Sequence, residues 1–259
     1  MTDALDLILG LPDGLILLIG ATAMAALALV VALAARRWWF LPRLERFDAH
    51  AKLAELVHSS LLAFSVFVLA LALTDVRANL SRADDAVSRE ASLIGRFDRD
   101  LAARPEPEAA AARRQLRDYA ELVVTDEWPQ LSAAVPTLSP KAGAHFAALS
   151  DSVRKLDGQT ASASGLRSTL DRLEDFRQGR LETATRSVPR IFWWMIATFL
   201  LGAMVMNGRY ELNGLGASLV AIHMAAIGLV LALILVLDEP FRGETSIQPT
   251  VLITALPPR

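Results

Sequence analysis

Few side chains in this sequence have both the type and the setting for chemistry. Glu90 interrupts an otherwise apolar seam, Arg177 and Arg180 stand one helical turn apart, and His223 lies inside a long apolar run. Asp238, Glu239 and Glu244 follow the end of that run and are the nearest approach to a hard-metal ligand set. His50, His58 and His145 show no paired ligand spacing, and the chain has no HExxH, phosphate-loop glycine motif or nucleophile elbow. With no cysteine, disulfides, thiolate metal sites and cysteine nucleophiles are excluded. An enzyme is not expected, and no cofactor is implied.

The elements that must position these residues are set by composition. Of 259 residues, 53% are hydrophobic and 21% charged, with a mean hydropathy of +0.37. That balance suits a membrane protein better than an average soluble domain. A net charge of -2, from 26 basic and 28 acidic residues, gives no reason to expect nucleic acid as a partner. The lipid bilayer is the expected partner.

Four apolar stretches, at 15–35, 56–74, 191–206 and 215–237, approach the roughly 20 residues a helix needs to cross hydrocarbon about 30 Å thick. The first follows Asp13, a possible helix cap, and ends at Arg36, Arg37, Trp38 and Trp39, a basic and aromatic anchor. It is not expected to be a cleaved signal, because the preceding residues carry Asp3, Asp6 and Asp13 with no lysine or arginine. Trp193 and Trp194 suit the headgroup zone at one end of the third stretch. The chain therefore divides into a tail (1–14), two spans (15–74), a helical soluble domain (75–190), two further spans (191–237) and a clasp with its tail (238–259). The class is all-α, an integral membrane protein with the soluble domain inserted between its second and third spans.

That inserted domain carries 18 basic and 18 acidic residues. Pro105 and Pro107 break it, Pro129 and Pro136 bracket a turn, Ser139-Pro140 reads as a cap with proline in the first helical position, and 158–165 is a small-residue linker. Ala112, Leu116, Tyr119 and Val123 recur with helical spacing, as do Leu166, Leu170, Leu173, Arg177 and Leu181. Val76, Leu80, Ala83, Val87, Glu90, Ile94, Phe97 and Leu101 fall at spacings of four and three, a seam packed in coiled-coil fashion. Leu73, Leu69, Val66 and Leu62 continue that register backward, so one helix of about 45 residues, on the order of 70 Å, is expected to leave the bilayer unbroken.

Each candidate has a functional and a structural reading. Ser60, Phe64 and Val68 share one face of the second span and could line a pore as a hydrophobic constriction, or face lipid and neighbouring helices. Glu90 could be a switch or ion-coordinating carboxylate, or the partner of Arg177 or Arg180. Asp238 and Glu239 stand where the helix dipole disfavours them, so they need Arg242, a cation or a neighbouring subunit. Pro240 and Gly243 then allow the segment to fold back with Phe241 as its anchor, a clasp that could equally be a metal site with Glu244. His223 is a functional suspect at its depth, or a neutral histidine bonded across helices. Glu127-Trp128-Pro129 could be a recognition patch or a packed corner.

Several of these pieces resemble a known family. Arg89-Glu90-Ala91, Tyr119 with Glu127-Trp128-Pro129, the run from Arg177 to Leu181 before Pro189, and Asp238 to Glu244 with Ile247 and Pro249 are similar to bacterial membrane proteins with a bestrophin-like domain, over roughly residues 55–250. Bestrophin anion channels are a more distant likeness. Arg242 interrupts their Pro-Phe-Gly stretch, and only Glu244 remains of the acidic run that a calcium clasp of the animal type needs. The resemblance implies a homo-oligomer, a pentamer, around an axial pore lined by the second span, in the bacterial plasma membrane, with both termini and the helical domain in the cytoplasm. It implies an ion channel for anions such as chloride; the alternative is an accessory or scaffold subunit of a larger membrane complex. Counting basic residues in the short loops alone would place the helical domain outside, whereas counting those near the membrane ends favours the cytoplasm.

Overall fold

The computed structural model describes residues 11–43, 50–157 and 164–255. Most of the amino-terminal tail, residues 158–163 of the small-residue linker and the last four residues lie outside the described residues. In chain order the helices are α1 (Asp13–Ala35), α2 (Ala51–Ala102), α3 (Pro107–Leu122), α4 (Trp128–Leu131) and α5 (Pro140–Asp157). They continue as α6 (Ser164–Thr185), α7 (Arg190–Asn207), α8 (Gly214–Leu237) and α9 (Thr250–Ala255). There is no strand among the described residues. The chain is all-α.

Two compact units divide it, one formed by Asp3–Arg77 with Ser187–Asp238 and the other by Ala78–Arg186 with Glu239–Arg259. The first unit holds α1, the amino-terminal half of α2, α7 and α8. Four stretches, Asp13–Phe40, Ala51–Ala102, Gly165–Asn207 and Gly214–Leu237, contain helix long and apolar enough to cross a membrane, and α7 is the apolar part of the third. Their outer faces expose leucine, valine, isoleucine and phenylalanine throughout, which is stable only where lipid, or protein, replaces water.

Within this unit small residues bring backbones together, the usual device where hydrophobic burial cannot drive helices to associate. A Cβ added to Gly228 on α8 would lie 2.5 Å from both the Gly20 carbonyl and Met24 Cβ on α1. At Gly208 it would lie 2.7 Å from the Ala32 carbonyl oxygen. The N-cap of α1 is Pro12, so Asp13 sits in the first turn instead of capping it. There its charge still complements the helix dipole. Beyond Ala35 the chain widens into a π-turn, Arg36–Phe40, which leaves Trp38 and Trp39 exposed.

The second unit packs the other half of α2 with α3, α4, α5, α6 and α9 around one core, including Val87, Ile94, Phe97, Leu116, Tyr119, Leu149 and Leu173. On α2 every seam position from Val76 to Leu101 is buried except Leu80, which is partly so. Of the backward continuation, Leu69 is buried and Leu62 and Leu73 pack partly buried against the first unit's core, whereas Val66 is 56% exposed, with Ser65, Val68 and Ala72 buried beside the seam. In water only core positions are apolar, so the period shows; in a span every face is apolar, and the inward face is hidden in the pattern.

Pro107 occupies the first turn of α3, while Ser139 Oγ accepts the Ala142 N–H at 3.1 Å and caps α5. The turn expected between Pro129 and Pro136 falls at 132–135, with Pro129 itself in the first turn of α4. A π-turn at Val123–Glu127 joins α3 to α4, and the helical path continues to Leu131. The wider turn gives room at the site where proline lacks an N–H and crowds the preceding turn.

Candidate functional site

Four of the buried charged side chains of the second unit form one cluster. Glu90, Glu127 and Arg180 have no solvent exposure, and Arg177 is nearly as buried. Arg180 stands between the two carboxylates: its Nη1 donates to Glu90 Oε2, and its Nη2 donates to Glu127 Oε1 at 2.5 Å. Arg177 donates to the other oxygen of Glu127 from Nε at 3.2 Å and from Nη2 at 2.8 Å, and to the Ser139 carbonyl at 2.9 Å. The Ser139 N–H donates to Glu127 Oε2 at 3.0 Å, and the Tyr119 hydroxyl donates to Glu90 Oε1 at 3.2 Å. Two arginines and two glutamates make the cluster formally neutral, the condition under which buried charges are tolerated.

Local sequence places each member. Glu90 occupies a seam position of α2, and Arg177 and Arg180 lie one turn apart on the inward face of α6. Glu127 is the last residue of the π-turn, whose extra residue rotates it inward while Asp126 beside it remains half-exposed against Ser139 and Lys141. Gly143 on α5 faces Arg177, whose Nη2 would lie 3.5 Å from an added Cβ, in ordinary contact.

Burial pushes the Glu127 carboxyl up from its ordinary value, a shift that Arg177 opposes. Burial likewise pulls Arg180 down, yet two carboxylates in contact hold its guanidinium charged. Tyr119 is raised by burial and stays a neutral donor. The arrangement can bind three helical stretches together and hold their register. Of its side-chain atoms, Arg180 Nε is buried without a hydrogen-bond partner.

The expected alternatives resolve in part. Glu90 pairs with Arg180, whereas Arg177 takes Glu127. Phe241 is buried and meets Trp128 edge-on with ring centroids 5.2 Å apart, while Trp128 Nε1 donates to the Ile247 carbonyl at 3.2 Å. The Ile247 N–H returns to the Pro240 carbonyl at 2.9 Å, and Gly243 takes a φ of 90° in the turn between them. Glu127-Trp128-Pro129 is thus a packed corner. In the first unit Asp238 accepts the Val188 N–H at 3.1 Å. Among the described residues no group of three histidine, aspartate or glutamate side chains converges as a metal site.

The pore-face residues separate. Phe64 is 55% exposed beside Phe199, Ser60 is partly exposed and bonded to the Leu56 carbonyl, and Val68 is buried in its own unit's core. Val68 therefore leaves the set, because its side chain is committed to neighbours within the chain. Positions Phe67 and Leu71 are exposed in its place. His223 is exposed on α8 and, among the described residues, has no hydrogen bond across helices. Sequence reasoning missed Glu127 as the bridging carboxylate, because a π-turn leaves no trace in an α-helical period. It also missed that His58 shares a cavity with His223.

The family model for the bestrophin-like domain matches residues 22–252. No curated protein matches the chain. Among solved structures, a variant of a bacterial bestrophin homolog from Klebsiella pneumoniae aligns at a TM-score of 0.60 with 13% identity, covering 91% of this chain and 96% of that one. A second structure of a Klebsiella pneumoniae bestrophin homolog aligns at 0.56 with 14% identity, covering 90% and 94%. At such identities the likeness shows the fold, while the match over most of the chain shows the family. This four-span, all-α chain belongs to the bestrophin-like family.

Proposed function

We propose that the protein is one subunit of an oligomeric ion channel that conducts anions, with the second span lining its pore. The observation that carries this reading is the exposed face of α2. Ser60, Phe64, Phe67, Leu71 and Thr74 recur at spacings of four and three, and Phe64, Phe67 and Leu71 are exposed within a single chain. Copies arranged around an axis would bring these side chains into rings, and a phenylalanine ring is wide and apolar enough to gate by dewetting. The bestrophin-like family and the solved bestrophin homologs support the same reading.

In this proposal the chain lies in the bacterial inner membrane with the helical unit in the cytoplasm, and the assembly is a ring, a pentamer. Balanced charge in the helical domain leaves selectivity to the pore residues.

The test is the mass of the particle in mild detergent, followed by chloride flux from vesicles carrying the protein. Flux that rises when Phe64→Ala removes the proposed constriction supports the channel. Inserted oligomers that stay impermeable in both forms count against it, and one copy embedded among other proteins would favour an accessory subunit. Orientation is read from Ser152→Cys and Lys52→Cys labelled from outside intact cells. Labelling of the first would reverse the proposed placement.

A further inference from the structure

A groove of about 560 Å³ lies in the second unit between the carboxyl end of α2 and the first turns of α6. On α2 it is lined by Leu93, Arg96 and Asp100, at spacings of three and four, and on α6 by Leu166, Thr169 and Arg172, at spacings of three, so each helix presents one face to it. Arg104, just past the end of α2, joins them. Leu166 belongs to the core of the unit and Leu93 packs against that core, so both walls are anchored.

The charge on the lining is lopsided. Arg96, Arg104 and Arg172 stand against a single carboxylate, Asp100. Arg96 Nε lies 3.9 Å from Asp100 Oδ2 with both side chains well exposed, a pair too long and too wet to cancel much. Arg172 makes no hydrogen bond or ion pair among the described residues. Residues 75–190 carry 18 basic and 18 acidic side chains, so the surplus of positive charge is particular to this groove. Ser168 and Thr169 add hydroxyls that now donate to the Gly165 carbonyl at 3.0 and 2.9 Å and are free to rotate toward another acceptor. No lining residue is a large apolar side chain exposed to solvent, so an acyl chain would find no wall to cover.

We propose that this groove binds a small, soluble molecule bearing phosphate groups. Guanidinium forks match phosphate oxygens in pairs, which makes arginine the residue of choice for such an anion. Arg96 and Arg104 approach it from the α2 side and Arg172 from α6, while Ser168 and Thr169 donate to its remaining oxygens. The volume falls within the range of about 300–1,000 Å³ usual for small-molecule sites. The inference rests on the helical unit alone and stands whether or not the protein conducts.

The full chain in mild detergent is titrated calorimetrically with pyrophosphate in about 0.15 M NaCl, where diffuse attraction is screened. One saturable site per chain is expected. Arg172→Gln and Arg96→Gln should each weaken it by about tenfold, whereas Asp100→Asn, which removes the opposing carboxylate, should tighten it. Arg114→Gln, at an exposed arginine of α3 that does not line the groove, should leave it unchanged. All four side chains lie toward the surface, and an unaltered unfolding midpoint checks that each variant folds. Absence of a saturable site, unchanged binding in the folded Arg172→Gln and Arg96→Gln variants, or equal weakening by Arg114→Gln overturns the proposal. So does a fall in oligomer mass on Arg172→Gln, which would show that the arginines hold an acidic segment of a second copy.

Discussion

Arg180 Nη2 lies 2.5 Å from Glu127 Oε1 with neither side chain reaching solvent, and the same guanidinium meets Glu90 through Nη1. One cation thereby ties α2, the π-turn and α6 within the helical unit. Removing it strands two carboxylates, of which only Glu127 keeps another arginine. Arg180→Met should therefore cost about 3–5 kcal/mol, the range for breaking a buried pair. Adding Glu90→Leu removes the stranded charge and leaves the Arg177–Glu127 pair intact, so the double variant should recover a large part of that loss. Thermal unfolding of both in detergent decides it; a double variant less stable than Arg180→Met would contradict the account.

Gly228 and Gly179 should respond in opposite directions. Gly228→Val must push α8 from α1, since even a Cβ would stand 2.5 Å from the Gly20 oxygen, and a loss of about 1–3 kcal/mol is expected for such overpacking. Gly179 lies inside α6 with nothing within 4 Å of an added Cβ. Gly179→Ala should gain roughly 0.5–1 kcal/mol by removing backbone freedom from the unfolded chain. Unfolding midpoints of the two variants test both signs.

Asp98 supplies a pH dependence. Burial raises its carboxyl, but hydrogen bonds from Arg113 at 2.8 and 2.9 Å and from Arg117 at 3.2 Å outweigh this and hold it below its ordinary value. A depressed carboxylate stabilises the fold above its unfolded value, about pH 4, and that contribution is lost as pH falls through the folded value. Asp98→Asn should cost about 1.5–3 kcal/mol at neutral pH and flatten the acid side of the stability profile. A variant that keeps the wild-type acid slope would assign that slope to other groups.

The clasp predicts a local effect. Trp128→Phe keeps an aromatic ring against Phe241 but removes the Nε1 donor to the Ile247 carbonyl, a loss of about 0.5–1.5 kcal/mol. Hydrogen exchange at 247–255 should accelerate before exchange in α3 or α5 does. Uniform acceleration across the unit would show that the corner is not a separate latch.

Where water is the solvent, the sequence is a faithful guide. The seam of α2 from Val76 to Leu101, the turn at Pro105 and the Ser139 cap can all be read from it, because apolar residues there mark the core and punctuation marks the ends. Four spans follow just as directly, since length and hydropathy alone decide them. Tertiary structure decided everything that depends on which face turns inward. Val68 is buried in its own unit's core while Phe64, beside Phe199, stays 55% exposed, a choice invisible in an all-apolar helix. It also chose Arg180 over Arg177 for Glu90, because a π-turn brought Glu127 into the interior and gave Arg177 a different partner. His58 and His223, 165 positions apart, meet in one cavity only because α2 and α8 fold beside each other.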